Sequence, residues 1–184
     1  MGDITQLIDR AKHGDRGALD DLFEAMYPEL RRLAHGRLTR DRRNTLLDTT
    51  ALVNECYLKY VSAGRLHAVD RVHFLAYSAA AMRSIIVDFA RARVAERRGG
   101  DAAHLTLNTE VAGGLPTGED EIVTVHDALI ELEQLDARMV RIVEMRYFVG
   151  LTDIEIAQAL GVTDRTVRRE WEKARLLLAA ALRR

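Results

Sequence analysis

Apolar residues recur three and four positions apart along almost the whole chain, and this spacing restricts the fold to packed helices. The first stripe consists of Ile4, Leu7, Ile8 and Ala11. Such spacing places apolar side chains on one face of a helix, whereas a half-buried strand needs strict alternation of apolar and polar residues. No alternating stretch is long enough to indicate a sheet. We therefore predict an all-α chain.

The helical pattern is interrupted between residues 97 and 120. This segment reads RRGGDAAHLTLNTEVAGGLPTGED, is rich in Gly and contains Pro116, which is a composition typical of linkers. A chain of 184 residues is long enough for two small cores. We predict two small helical domains, residues 1–98 and 121–184, joined by a flexible linker at residues 99–120.

Residue usage argues against a secreted protein, a metalloprotein and an enzyme. Cys56 is the single cysteine, and the six histidines lack the paired spacing of metal ligands. No serine or cysteine nucleophile motif is present, so we expect no catalytic residues, no metal and no cofactor. The start, MGDITQLIDRAKHGD, has no signal-peptide pattern, and we find no apolar run of membrane-spanning length. We expect a cytoplasmic protein without membrane contact.

Charge is sorted into blocks although the net charge is only −1. Residues 31–43, 83–98 and 163–184 are rich in arginine, whereas residues 119–136 hold seven acids and neither Lys nor Arg. Local basic surfaces can bind phosphate while the whole molecule stays soluble. For any single basic block considered alone, a solvated helix face is the favoured interpretation. We interpret the acidic block as a solvated helix face plus linker. The alternative is that it covers a basic surface of the free protein.

The stretch LTDIEIAQALGVTDRTVRREWEKARLLL, residues 151–178, has the layout of a helix-turn-helix. Ala157 is small where the two helices would cross, and Gly161 suits a turn with left-handed backbone. Thr163 can cap the second helix, and Val167 should pack into the core. A recognition helix enters the major groove with its N-terminal end, where arginine pairs with guanine or phosphate. The candidate DNA contacts of this motif are Thr163, Arg165, Thr166, Arg168, Arg169 and Lys173.

With this motif in place, the chain resembles bacterial RNA polymerase sigma factors of the extracytoplasmic-function (ECF) group over nearly its whole length. The opening helices of that group are similar to LIDRAKHGDRGALDDLFEAMYPELRRLA, and its polymerase-binding helix is similar to ALVNECYLKY. The helix that opens the minus-ten element is similar to FLAYSAAAMRSIIVDFARARVAERR, and the domain that reads the minus-thirty-five element is similar to the helix-turn-helix.

The resemblance implies a sigma factor that binds the clamp and flap of core RNA polymerase and directs initiation at promoter DNA. An anti-sigma protein is a further candidate partner. The alternative is a two-domain helix-turn-helix regulator that acts without docking on polymerase. That alternative accounts for residues 151–178 but not for the N-terminal half.

The resemblance also assigns the minus-ten contacts. In the family, the loop corresponding to residues 62–74 captures a flipped base, and the next helix contacts the single strand. Family members commonly carry Trp where Tyr77 stands and Asn where Ser84 stands, so the base preference is open. For Asp88, DNA contact and a hydrogen bond on the helix surface are equally favoured. The candidates are Arg65, His67, Asp70, Arg71 and His73 in the loop, and Tyr77, Arg83, Ser84, Asp88 and Arg91 in the helix.

The start of the polymerase-binding helix departs from the family pattern. Where the family usually reads Asp-Ala-Glu-Asp, residues 48–51 read Asp-Thr-Thr-Ala. The resemblance therefore implies weak docking of the unmodified protein, since two acids are missing. The polymerase-binding candidates are Asp48, Thr49, Thr50, Asn54 and Glu55.

A phosphate on Thr50 would restore the missing charge. Phosphothreonine carries about −1.5 to −2 charges, and a helix N-terminus favours an anion. The stretch TTALVNECYLKY resembles ECF branches that Ser/Thr kinases switch on. We predict phosphorylation by such a kinase at Thr50, with Thr49 second. The alternative is that Asp48 or Thr49 caps the helix and Thr50 merely fills its first turn.

Overall fold

A computed structural model describes residues 3–38, 48–64, 66–99 and 118–183. These residues form helices and contain no strand, which confirms the all-α prediction. The predicted contact Arg65 and most of the predicted linker lie outside the described residues. The helices are α1 (Ile4–Lys12), α2 (Arg16–Leu38), α3 (Thr49–Ala63), α4 (Arg71–Gly99), α5 (Gly118–Leu135), α6 (Ala137–Val143), α7 (Asp153–Leu160) and α8 (Asp164–Ala181), with a π-helical segment (Glu144–Val149) after α6.

Helices α1 to α4 form an N-terminal bundle around one apolar core. Leu22, Met26 and Leu30 recur at four-residue intervals on α2 and are fully buried. They meet Phe74 and Met82 of α4 in the same core. Pro28 does not end α2, which continues to Leu38. The amphipathic spacing seen in the sequence thus accounts for the packing of this bundle.

Helices α5 to α8 and the π-helical segment form a C-terminal bundle with two small clusters. Leu129, Leu132 and Val140 lie in the first cluster, and Ile156 and Val167 lie in the second. Trp171 is half-buried and packs against both clusters, so it joins the two small cores of this bundle.

The two bundles are in contact through α4. Phe148 and Val149 of the π-helical segment pack against the N-terminal core, and Ala76 of α4 packs against the second C-terminal cluster. A cleft of about 760 Å³ runs between the bundles and is lined in part by Ile86 and Val125. The sequence did not indicate this arrangement, because the residues involved lie far apart in the chain.

By length and mean hydropathy, the Arg71–Glu96 part of α4 qualifies as a membrane span, contrary to the sequence-based expectation. In the structure this helix lies in the middle of the protein. Phe74, Ala79 and Met82 are fully buried in the N-terminal core. The apolar character of α4 is therefore explained by its contacts with other helices.

Candidate nucleic-acid and polymerase interfaces

The start of α3 is capped by Asp48 and not by a threonine. The Oδ1 atom of Asp48 accepts a hydrogen bond of 2.7 Å from the backbone N–H of Ala51. Thr49 is the first helical residue and is half-buried, whereas Thr50 is the second and is exposed. The capping interpretation is thus satisfied by Asp48 alone, and the hydroxyl of Thr50 lies on the surface.

The exposed side of α3 carries the other predicted polymerase contacts. Asn54 and Glu55 are exposed and lie one turn after the start of the helix. The opposite side is anchored in the core by Leu52 and Cys56, which are fully buried. The helix therefore presents Asp48, Asn54 and Glu55 on its exposed side, together with Leu58, and is anchored in the core on the other.

His67 and Tyr77 are the two predicted minus-ten residues that the structure brings together on the surface. His67 is exposed, Tyr77 is 45% exposed, and their ring centroids lie 6.4 Å apart. Tyr60 supports Tyr77 from below at 5.6 Å between centroids. Exposed rings at this spacing provide a platform on which an unpaired base can stack.

Asp70, Arg71 and His73 instead hold the start of α4 in place. Asp70 accepts a hydrogen bond of 2.8 Å from the backbone N–H of His73. Burial raises the pKa of Asp70, but the bonds from His73 outweigh it and leave the pKa below its ordinary value. Arg71 donates to Glu29 of α2 at 2.8 Å, and this bond lowers the pKa of Glu29. These predicted DNA contacts have structural partners within the N-terminal bundle.

A hydrogen-bonded chain links α3 to α4 beside Tyr77. The Nζ of Lys59 donates to the Oγ of Ser84 at 2.7 Å. The same hydroxyl donates to Asp88 at 3.5 Å, and Lys59 lies 3.9 Å from Asp88. The carboxylate of Asp88 is thus bonded on the helix surface while its side chain remains 66% exposed.

Arg83 and Arg91 face the C-terminal bundle. Arg83 donates to Glu144 at 2.6 Å and lies 3.0 Å from the Nδ1 of His126. Arg91 donates to Asp127 at 3.0 Å. Burial, and then the charges of Arg83 and Arg91, lower the pKa of His126 below its ordinary value. Two predicted DNA contacts are thus bound by groups of the same chain.

These contacts bear on the acidic block, residues 119–136, for which the sequence favours a solvated helix face plus linker. Helix α5 packs against α4, and Asp127 pairs with Arg91 although both side chains remain about half exposed. The physical reason for this pair is charge complementarity with the arginine-rich part of α4. Glu121, Glu131 and Glu133 are exposed as well, so the block presents a solvated face from which one acid also pairs with α4.

The turn between α7 and α8 has the geometry that the sequence spacing predicts. Gly161 has a left-handed backbone with φ 65°. Thr163 caps α8 by accepting a hydrogen bond of 3.2 Å from the backbone N–H of Thr166. Ala157 and Val167 are buried between the two helices. The two threonine hydroxyls also bond to each other at 3.0 Å.

The predicted cationic DNA contacts on the exposed side of α8 differ in how close they lie to carboxylates. Arg165, Arg169 and Lys173 are exposed. Arg168 is bonded to Asp164 on its own helix and lies 3.8 Å from Asp153 of α7. The bond from Arg168 lowers the pKa of Asp164. Arg168 remains exposed despite these pairs, and Arg169 lies 3.9 Å from Glu170, so carboxylates lie close to two of the four cations.

Several residues that position these surfaces were missed by the sequence analysis. Thr152 and Glu155 form a capping box at the start of α7, which their T-x-x-E spacing should have indicated. Arg146 lies 5.0 Å from the ring centre of Trp171 and pairs with Asp153, and no local pattern marks this cluster. Glu144 was missed because its partner, Arg83, lies 61 positions away.

Acidic residues, histidines and Cys56 are dispersed along the described part of the chain. Within the four ranges that the structure describes, no group of three or more His, Cys, Asp or Glu side chains is arranged to hold a metal ion.

Comparison with known proteins identifies the family. The sequence model of the family described as ECF sigma factor matches residues 1–184, which is the whole chain. No curated protein sequence gives a significant match. The match includes the N-terminal half, for which a stand-alone helix-turn-helix regulator gives no account. ECF sigma factors direct transcription initiation with core RNA polymerase and promoter DNA as partners. The chain therefore belongs to the ECF sigma factor family.

Proposed function

We propose that this sigma factor is switched on when a Ser/Thr kinase phosphorylates Thr50. The observation that carries the proposal is an exposed hydroxyl at the second position of the helix that resembles the polymerase-binding helix. The family usually has an acid at this position. Thr49 is the second choice, because it is half-buried and therefore less accessible to a kinase.

The position of Thr50 suits a phosphate on electrostatic grounds. The N-terminal end of a helix carries a partial positive charge that stabilises an anion. Asp48 supplies one carboxylate there, and no acidic residue lies in the first turn of α3. A phosphate brings about −1.5 to −2 charges and strong acceptor oxygens. It would therefore complete a docking surface for which the unmodified chain has too little negative charge.

The DNA-binding part of the proposal uses two separate surfaces. His67 before α4 and Tyr77 of α4 would stack on a base flipped from the minus-ten strand. Arg165, Arg169 and Lys173 of α8 would contact the minus-thirty-five element in the major groove. The protein would act in the cytoplasm, where polymerase and promoter are found.

The test compares core polymerase binding by the unmodified protein, the Thr50-phosphorylated protein, Thr50→Ala and Thr50→Glu. We expect the phosphorylated form to bind at least about ten-fold more tightly than the unmodified form, because new charge-assisted hydrogen bonds form. Thr50→Glu should lie between these two, since it carries a single charge, and Thr50→Ala should bind weakly.

Thr5 provides a matched control within the same chain. It is an exposed threonine at the second position of α1, and Asp3 caps that helix as Asp48 caps α3. Thr5→Glu therefore adds the same charge at the same helical position on a different surface, and it should leave polymerase affinity unchanged. Equal affinity of all Thr50 forms would rule out the switch.

A further inference from the structure

Two arginines of α4 contribute polar contacts between the bundles. The side chain of Arg83 is 17% exposed and that of its partner Glu144 is 11% exposed. Arg91 and Asp127 form a second pair that remains about half exposed. The first pair is thus a nearly buried interaction between the bundles, and the second lies at its rim.

The buried pair makes the contact specific. A buried carboxylate without a partner is strongly unfavourable, so Glu144 favours the arrangement in which Arg83 reaches it. Glu144 begins the π-helical segment, which also carries Phe148 and Val149 into contact with the N-terminal core. One segment therefore supplies both the acid and the apolar residues of the contact.

One hydrogen-bond donor in this contact lacks a partner among the described residues, which favours separation of the bundles. The Nε of Arg83 is buried and has no hydrogen-bond partner within the described part of the chain. An unpaired buried donor has a free-energy cost that separation of the bundles would relieve. At the rim, the Arg91–Asp127 pair is exposed to solvent and is expected to add little stability.

We propose that this contact is an autoinhibited state, in which Glu144 and Asp127 occupy the guanidinium groups that the promoter strand needs. The carboxylates and the DNA phosphates compete for the same donors, so promoter binding requires the C-terminal bundle to move away from α4. The inference rests on the proposed minus-ten role of α4. It adds a form of regulation that acts in the free protein, before the protein binds polymerase, and that does not involve Thr50.

The test measures bundle separation and DNA binding in the full-length protein. Donor and acceptor dyes are placed on Glu24→Cys of α2 and Gln134→Cys of α5, both of which are exposed positions. The native Cys56 is fully buried and does not compete for the dyes. Binding is measured with a fluorescein-labelled single-stranded oligonucleotide of mixed sequence.

Glu144→Gln removes the negative charge that pairs with Arg83 and keeps the shape of the side chain. We expect lower energy transfer and an increase of about three- to ten-fold in oligonucleotide affinity, because the binding-competent fraction rises. Glu170→Gln is the matched control. Glu170 is also a buried glutamate of the C-terminal bundle, but its partner Arg138 lies in that same bundle. This control should leave the energy transfer unchanged. Because Glu170 also lies 3.9 Å from Arg169, Glu131→Gln serves as the control for the effect of one lost charge on oligonucleotide affinity.

Asp127→Asn keeps the test valid if Glu144→Gln fails to fold. Asp127 is about half exposed, so its replacement should preserve the fold. Its control is Glu131→Gln, an exposed residue of the same helix that loses the same charge. We expect a smaller shift in the same direction for Asp127→Asn and none for Glu131→Gln.

Two outcomes would overturn the inference. If Glu144→Gln and Asp127→Asn both fold and match their controls in energy transfer, the contact does not hold the bundles together. If energy transfer falls while oligonucleotide affinity stays constant, the contact exists but does not mask DNA-binding groups. Neither measurement uses polymerase or phosphorylated protein, so a failure of the Thr50 proposal would be seen separately, in polymerase affinity alone.

Discussion

At the scale of single residues, Asp48 has two roles that substitution can separate. Its carboxylate caps α3 by accepting the N–H of Ala51, and its charge lies where the family docks on polymerase. Capping depends on a short side chain with an acceptor oxygen, which Asn supplies as well as Asp. Docking onto a basic surface depends on the charge, which Asn lacks.

We predict different outcomes for Asp48→Asn and Asp48→Ala. Asp48→Asn should keep the stability of the protein and weaken polymerase binding by the Thr50-phosphorylated form. Asp48→Ala should weaken binding too and also destabilise the fold by about 1 kcal/mol, the usual cost of losing a cap. Denaturant unfolding and polymerase affinity, measured on both variants, check this. If Asp48→Asn binds polymerase as tightly as the unsubstituted protein, Asp48 is only a cap.

At the scale of elements, the sequence predicts most of what depends on neighbouring residues. The apolar spacing predicts the helices, and the positions of Gly161, Thr163 and Val167 predict the α7–α8 turn. These features were predictable because turn and cap chemistry act over a few residues. The π-helical segment was not predictable from neighbouring residues, because its Phe148 and Val149 pack against the other bundle.

The left-handed backbone of Gly161 gives a prediction at this scale. Gly161→Ala should destabilise the C-terminal bundle by about 1–2 kcal/mol, because a Cβ disfavours this conformation. A Cβ at Gly161 meets no atom within 4 Å, so the cost is conformational rather than steric. The check is thermal or denaturant unfolding of the purified variant.

Gly36 is the matched comparison. It lies within α2, and a Cβ there also meets no atom within 4 Å. Gly36→Ala should therefore stabilise the protein by about 0.4–1 kcal/mol, since the unfolded chain loses freedom while the helix gains a better former. Opposite signs for the two substitutions are expected. A loss of stability in both would mean that packing, and not backbone conformation, decides the effect.

At the scale of the whole molecule, the arrangement of the two bundles could not be predicted from the sequence. The Arg83–Glu144 and Arg83–His126 contacts join residues 61 and 43 positions apart. Charge blocks indicate that an acidic segment can cover a basic one, but many arrangements satisfy that condition equally. Ten residues were predicted to contact the minus-ten element. For the same reason, the sequence could not separate those on the outer surface from those that contact other parts of the chain.

The contact between the bundles should depend on pH through His126. This side chain faces Arg83 and Arg91 of α4, and Asp88, Asp127 and Glu144 are the neighbouring acids. Burial and the two arginines hold the pKa of His126 below its ordinary 6.5 in the closed arrangement. A group whose pKa is depressed on closure favours closure fully above 6.5, and that contribution is lost as the pH falls from 6.5 towards the depressed value.

Energy transfer between the bundles should therefore decrease as the pH is lowered below 6.5, under conditions in which the helices remain folded by circular dichroism. Protonation places a third positive charge beside Arg83 and Arg91, and separation of the bundles relieves the repulsion. His126→Gln keeps a polar side chain that can accept from Arg83 but does not titrate in this range, so its profile should be flat. A profile of His126→Gln that falls like that of the unsubstituted protein would assign the pH dependence to other groups, and it would leave closure to the Glu144 and Asp127 contacts alone.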